Sequence, residues 1–151
     1  MRAILQRVQH ASVSVNQEVV GEISSGLLIF LGIEPSDQAK DQEWLLRKIT
    51  QLKIFEGADG RMSENLLSTN GSLLVVSQFT LHASTKKGTR PSFHRSAPPA
   101  YAEECYLSFI EAARQLIPSE QVQSGEFGAN MQVSLLNDGP VTLILDSQNP
   151  E

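Results

Sequence analysis

Leu27-Leu28-Ile29-Phe30-Leu31-Gly32-Ile33 decides how the rest of the chain is read. A strand with one wet face alternates apolar and polar residues. This one is apolar throughout, so the reading is a strand covered on both faces. The unbroken run, Leu27 to Leu31, is far too short to cross a bilayer. On its N-terminal side, Ala3 to Val8, Ala11 to Val15 and Val19 to Ile23 are rich in β-branched residues and read as three strands. Asn16-Gln17 is a weak turn signal between the last two, and Ser24-Ser25-Gly26 is a break before Leu27.

On its C-terminal side the period changes. After Glu34-Pro35-Ser36, Leu45, Ile49 and Leu52 fall on one stripe, which predicts a helix over Asp37 to Leu52 capped by Ser36 or Asp37. Glu56 to Gly60 is turn chemistry, and Arg61 to Asn70 shows no strong period and reads as a loop. Leu73 to Leu81 reads as the next buried strand, ending in polar residues. A second helix is predicted between Pro98-Pro99 and Pro118, with Ala102, Cys105, Tyr106, Phe109, Ala113 and Leu116 inward. Strands return around Val122, over Met131 to Leu136 and over Val141 to Leu145. The expected fold is α+β: one domain over 1–151, with a mixed, mainly antiparallel sheet curled into a barrel-like core and two main helices.

Composition narrows the function. The formal net charge of −5 argues against a protein that coats nucleic acid by general electrostatics. Lys86 to Arg95 nevertheless carries Lys86, Lys87, Arg90 and Arg95 with no acid, which is either a solvated loop or a local RNA contact. Cys105 has no partner cysteine, and the first seven residues have no apolar signal core. The expectation is a reducing, cytoplasmic setting without secretion or membrane insertion.

No nucleophile elbow, zinc motif or phosphate loop occurs, so spacing alone gives no mechanism. Two places interrupt otherwise apolar strands with polar or conformationally special residues: Ser77-Gln78-Phe79-Thr80 and Asn137-Asp138-Gly139-Pro140. The first either satisfies local backbone groups or forms a site at a strand end. The second reads from its residues as a hairpin loop, with a cis X-Pro bond as the alternative. His10, His82 and His94 read as surface histidines, and Cys105 as a structural thiol.

Extended to Ser77-Gln78-Phe79-Thr80-Leu81 and Asn137-Asp138-Gly139-Pro140-Val141-Thr142, the two segments together closely resemble the two signature motifs of the D-aminoacyl-tRNA deacylase family. Met1-Arg2-Ala3 through Gln6-Arg7-Val8, Gly88 to Phe93 with Arg90-Pro91-Ser92-Phe93, and Gly125 to Met131 with Phe127-Gly128-Ala129 resemble family segments in family order. The resemblance implies a homodimer with active sites at the subunit interface, an aminoacyl-tRNA substrate, no cofactor or metal, and no DNA or membrane partner. It implies that Gly139-Pro140 is cis and enters the other subunit's pocket, where its carbonyls receive the substrate α-ammonium and crowd an L side chain. A screen that reads only the α-carbon would also pass glycine. Ser77, Gln78, Phe79 and Thr80 are then the catalytic candidates, with the N–H groups of Phe79 and Thr80 facing the oxyanion. Arg7 braces the Gly-Pro element and Phe127, Gly128, Ala129 and Met131 line the adenosine pocket, while the clustering of Lys86, Lys87, Arg90 and Arg95 in an otherwise acidic chain makes them the expected tRNA phosphate contacts. A non-catalytic RNA-binding module and a hydrolase of free D-aminoacyl esters or peptides are the rivals.

Overall fold

In the computed structural model, residues 1–150 are described. The first 23 residues form two strands, β1 (Arg2–Val15) and β2 (Glu18–Ile23). Asn16 and Gln17, at φ 51° and 71°, make a two-residue turn of the left-handed kind that matches strand twist. The expected break between Ala3–Val8 and Ala11–Val15 is absent. Gln9 is accommodated as a register shift between Val8 and His10, and β1 runs on because one partner, β8 (Met131–Asp146), follows it along its length. Its other edge is divided: Arg2 to Val8 pair with β3 (Gly26–Gly32), and Ala11 to Val15 pair with β2.

Strand β3 continues the sheet in parallel to β6 (Ser72–Ser77), which pairs in parallel with β7 (Val122–Ser124). The order is β2-β1-β3-β6-β7, with β8 on β1. The sheet curls until β2 meets β7. At that seam a Cβ on Gly21 would lie 2.5 Å from the Ser124 carbonyl oxygen, so the strands approach this closely only over glycine. This is the mixed, mainly antiparallel, nearly closed barrel anticipated from sequence. Phe55–Glu56 (β4) and Met62–Glu64 (β5) add a small separate hairpin. The reading of Arg61 to Asn70 as a loop missed β5, which is too short to show a period.

Leu27, Ile29 and Leu31 of β3 and Leu73 and Val75 of β6 pack in one core with α1 (Ala39–Gln51) and α2 (Pro99–Arg114). Leu28, Leu74 and Val76 fill a second core with Val8, Val13 and Ile23. β3 is thus covered on both faces. α1 starts later than expected, and neither Ser36 nor Asp37 caps it. The Gln38 N–H donates to Asp41 Oδ2 at 2.9 Å, while Asp37 is buried against the Met1 ammonium. On α2, Ala102, Tyr106, Phe109 and Ala113 are buried as expected, but Leu116 is not. The helix ends at Arg114, the helical period lapses, and Ile117 turns inward instead.

Two further expectations are corrected. The strand expected to reach Leu81 stops at Ser77, and Phe79–His82 forms a 3₁₀ turn that carries His82 into the interior, 1% exposed, rather than to the surface. Asn137 to Pro140 is not a hairpin loop either. It lies inside β8, where Val8 pairs with Asn137 and Gln6 with Thr142, so that 138–141 bulge outward opposite Arg7 alone. From Gln6 to His10, β8 carries two more residues than β1. Leu135 and Asn137 before the bulge, and Val141 and Leu143 after it, therefore all lie on the more buried side of the strand.

Candidate active site

Where β6 ends, the chain turns sharply and is held from several directions. The Gln78 N–H donates to Leu31 O at 2.8 Å, Arg2 Nη1 to Leu81 O at 2.7 Å, and Ser96 Oγ to Phe79 O at 2.9 Å. Beneath the turn, His82 Nδ1 lies 3.2 Å from Glu34 Oε1, out of line for a hydrogen bond, and neither ring nitrogen has a partner. A turn fixed this way presents its outer backbone rigidly. The N–H groups of Phe79 and Thr80 have no acceptor among the described residues, leaving two donors free at the strand end.

Phe79 borders a cavity of about 680 Å³, and Thr80 follows it just outside. Ser77, Gln78 and Phe79 form one wall, Phe93 and Ser96 to Pro99 another, and Phe127, Gly128, Ala129 and Met131 a third. The third wall is placed by Tyr106 of α2. Its hydroxyl donates to Val75 O at 2.8 Å and approaches Gly125 O at 3.2 Å, and its ring lies 5.7 Å from that of Phe127. Burial pushes the Tyr106 phenol up to about 12, against the pull of its hydrogen bonds, so it remains a donor at neutral pH. Phe79 and Phe93 meet edge to face at 5.1 Å on the rim.

Thr80 does not line the cavity. Its hydroxyl accepts from Gln78 Nε2 at 2.5 Å, and no carboxylate or histidine contacts it among the described residues. Burial pushes the Cys105 thiol up, which suits a structural role. Among the described residues no group of three His, Cys, Asp or Glu is arranged to hold a metal.

Gly139-Pro140 is cis and also lies outside this cavity. Ser77 pairs with Leu31 and Leu31 with Ala3, whereas Gly139 bulges opposite Arg7, four residues further along β1. That separation is about 13 Å along the strand alone. The bulge is braced from within its own chain. Arg7, only 6% exposed, places Nε 3.0 Å from Asp138 Oδ2 and donates through Nη1 to Ile54 O at 2.5 Å. The Asn137 amide donates to Arg7 O and Val141 O at 2.8 and 3.0 Å, closing the base. Gly139 has φ 117°, a region L side chains rarely adopt.

The basic segment is tied to the cavity. Ser84 and Ser92 exchange backbone hydrogen bonds of 2.8 and 2.9 Å, leaving Lys86, Lys87 and Arg90 exposed on the loop between them. Arg95 differs from these three, since its Nη2 lies 3.0 Å from Glu34 Oε1. Sequence reading missed the holding roles of Arg2, Ser96 and Asn137. Each depends on a partner at least 17 residues away except the Asn137 to Val141 bond, which spans four.

The chain matches the sequence profile described as D-Tyr-tRNA(Tyr) deacylase over residues 4–146. It is 49% identical over 151 residues to a D-aminoacyl-tRNA deacylase of Parabacteroides distasonis, covering 100% of both chains. It is 52% identical over 148 residues to one of Christiangramia forsetii, covering 98% of each. Among solved structures, a c-Myc DNA unwinding element binding protein superposes with a TM-score of 0.92 at 41% identity, over 97% of this chain and 98% of that one. A probable eukaryotic D-amino acid tRNA deacylase shares the fold at 19% identity, with a TM-score of 0.77 over 95% and 97%. With the profile spanning nearly the whole length and relatives of about half identity end to end, the chain belongs to the D-Tyr-tRNA(Tyr) deacylase family.

Proposed function

We propose that this protein hydrolyses the ester between a D-amino acid and the terminal ribose of tRNA, releasing both, and that two copies of the chain form each site. The observation that carries this reading is the division of labour within one chain. The cavity with its free N–H groups has no Gly139-Pro140 beside it, and the braced Gly139-Pro140 bulge has no cavity. A second copy related by a two-fold axis unites them. The terminal adenosine then lies along Phe127 to Met131, and the ester carbonyl points its oxygen at the Phe79 and Thr80 N–H groups. The carbonyls of the partner's Gly139 and Pro140 accept from the α-ammonium. An L side chain meets that backbone, a D side chain points away, and glycine has nothing to clash, so glycyl-tRNA is a substrate too.

Water attacks the carbonyl carbon, the oxyanion takes the two N–H donors, and the C–O bond to the ribose breaks as that oxygen regains a proton. The neighbouring ribose hydroxyl assists. Thr80 acts by orienting Gln78, because a covalent route requires a base at its hydroxyl. Thr80→Ala is accordingly expected to retain activity within about tenfold, a smaller loss than the about 10²–10³-fold that follows removal of a direct oxyanion donor. Complete inactivity together with an acyl-enzyme on Thr80 would make it the nucleophile.

The deciding experiment compares D-tyrosyl-, L-tyrosyl- and glycyl-tRNA. Rapid loss of the first and third with retention of the second is expected. Equal rates on both tyrosyl enantiomers would sink the screen, and no loss from any would leave a nucleic-acid-binding reading. The name carried by one structural relative makes duplex DNA the control for that reading. Neutralising Lys86, Lys87 and Arg90 is expected to raise KM for tRNA and flatten its salt dependence, with Arg95 contributing less because Glu34 already holds it.

A further inference from the structure

Seven of the chain's twelve Lys and Arg residues occur in two short segments without any acid, four in 86–95 and three in 47–53. The second group, Arg47, Lys48 and Lys53, comes from the C-terminal end of α1, with Lys48 in its last turn, and the residues just after it. With Gln51 and Leu52 it surrounds a separate shallow cavity of about 320 Å³. All three side chains are exposed, and none has an ion-pair partner among the described residues. One cation at a helix C-terminus complements the helix dipole. Three cations without ion-pair partners around one hollow, Lys48 among them with its ammonium 5.8 Å from the centre of the Trp44 ring, exceed that need, and their repulsion is relieved by an anion.

The position of this hollow identifies the anion. Lys53 adjoins Ile54, whose carbonyl accepts from Arg7 Nη1 at 2.5 Å, and Arg7 in turn pairs with Asp138, the residue before Gly139. One side chain therefore ties the basic hollow to the Gly139-Pro140 bulge. The other basic segment is tied to the opposite half of the site, since Phe93 lines the catalytic cavity.

We infer that Arg47, Lys48 and Lys53 bind phosphates of the tRNA acceptor end, on the protomer that supplies Gly139-Pro140 rather than the one that supplies the pocket. This rests on the proposed deacylase reading. The substrate is then gripped from two subunits: Lys86, Lys87 and Arg90 hold it on the pocket side, and Arg47, Lys48 and Lys53 on the screen side. Ester orientation and backbone register are set by the same braced element.

The test is the triple variant Arg47→Gln, Lys48→Gln, Lys53→Gln in the full-length protein, assayed on D-tyrosyl-tRNA and on the D-tyrosyl ester of adenosine, which has no phosphodiester. On tRNA, KM is expected to rise about tenfold or more at low salt with kcat within about twofold. The slope of log kcat/KM against log salt should become shallower by about 2, as for three single-strand phosphate contacts. On the adenosine ester both constants should match the unsubstituted protein. An unchanged KM and salt slope on tRNA would overturn the inference, and so would an equal loss on both substrates, which would mark a structural defect. Mixed dimers separate the subunits. Where one protomer carries Gly139→Val, only its own pocket faces an intact screen. The triple substitution should then be damaging on the other protomer and silent on this one, and the reverse pattern overturns the assignment in trans. Failure of the unsubstituted protein to cleave D-tyrosyl-tRNA is a different result, and refutes the deacylase reading itself.

Discussion

Gly139→Val is expected to lower D-aminoacyl-tRNA deacylation by about 10²–10³-fold or more, the cost of displacing a positioned site by about an ångström and losing a fixed electrostatic contact. Two independent facts converge on this residue. Its φ of 117° is strained for any L side chain. A Cβ built there would also lie 2.9 Å from Val141 Cγ2, 3.0 Å from Arg7 Nη2 and 3.1 Å from Val141 N. The valine must therefore move the bulge or push away the arginine that braces it, and either shift turns the carbonyls from the place where an α-ammonium would be received. Gly139→Ala should show a smaller loss of the same kind. Single-turnover deacylation, with circular dichroism and sedimentation to verify folding and association, measures it. A folded, associated valine variant with the unsubstituted rate and enantiomer preference would remove Gly139 from the site.

The second large effect is expected at Arg7. Arg7→Ala deletes the bond to Ile54 O and the ion pair with Asp138, leaving a carbonyl and a carboxylate without their partner. Because the Asp138 side chain is 39% exposed, its share is discounted for solvent screening. The loss of stability is then about 2–3 kcal/mol, mainly from the buried side. Activity should fall further than this suggests, by about 10²-fold, because the bulge loses its brace. Arg7→Lys separates the two effects. An ammonium cannot reach Ile54 O and Asp138 together in the guanidinium's fork, so it should recover part of the stability and little of the activity. Urea unfolding set beside kcat for the three proteins provides the comparison. A lysine variant with full activity would reduce Arg7 to a charge.

Residues whose partners are near in sequence were the legible ones. The apolar run of β3, the stripes of both helices and the turn at Asn16-Gln17 could be read because periodicity and turn chemistry are local. The continuity of β8 could not. Gly139-Pro140 carries every local mark of a turn, and only β1, more than a hundred residues earlier in the chain, shows that the strand resumes. His82 was misread for the same reason: strand alternation was extended one element too far, whereas the 3₁₀ turn rotates the side chain inward. At the site, Ser77 to Phe79 stand out as a polar strand end and Phe127 to Met131 only by resemblance, and their meeting around one cavity follows from the parallel pairing of β6 with β7 under Tyr106. Arg95 was grouped with the free cations because sequence does not reveal Glu34 as its partner.

Four residues of β8 bulge opposite Arg7, a surplus of three, and Gln9 of β1 takes one back, so β8 runs two residues longer than β1 between Gln6 and His10. Side chains along a strand alternate between two faces, so a surplus of one would put every later apolar residue of β8 on the wrong side of the barrel, while a surplus of two leaves the architecture untouched. The frame and the element it carries are thereby separable by length. A chain shortened by two residues here keeps its inside and outside in phase and remains a barrel with a smaller bulge, whereas one shortened or lengthened by a single residue turns the last strand inside out.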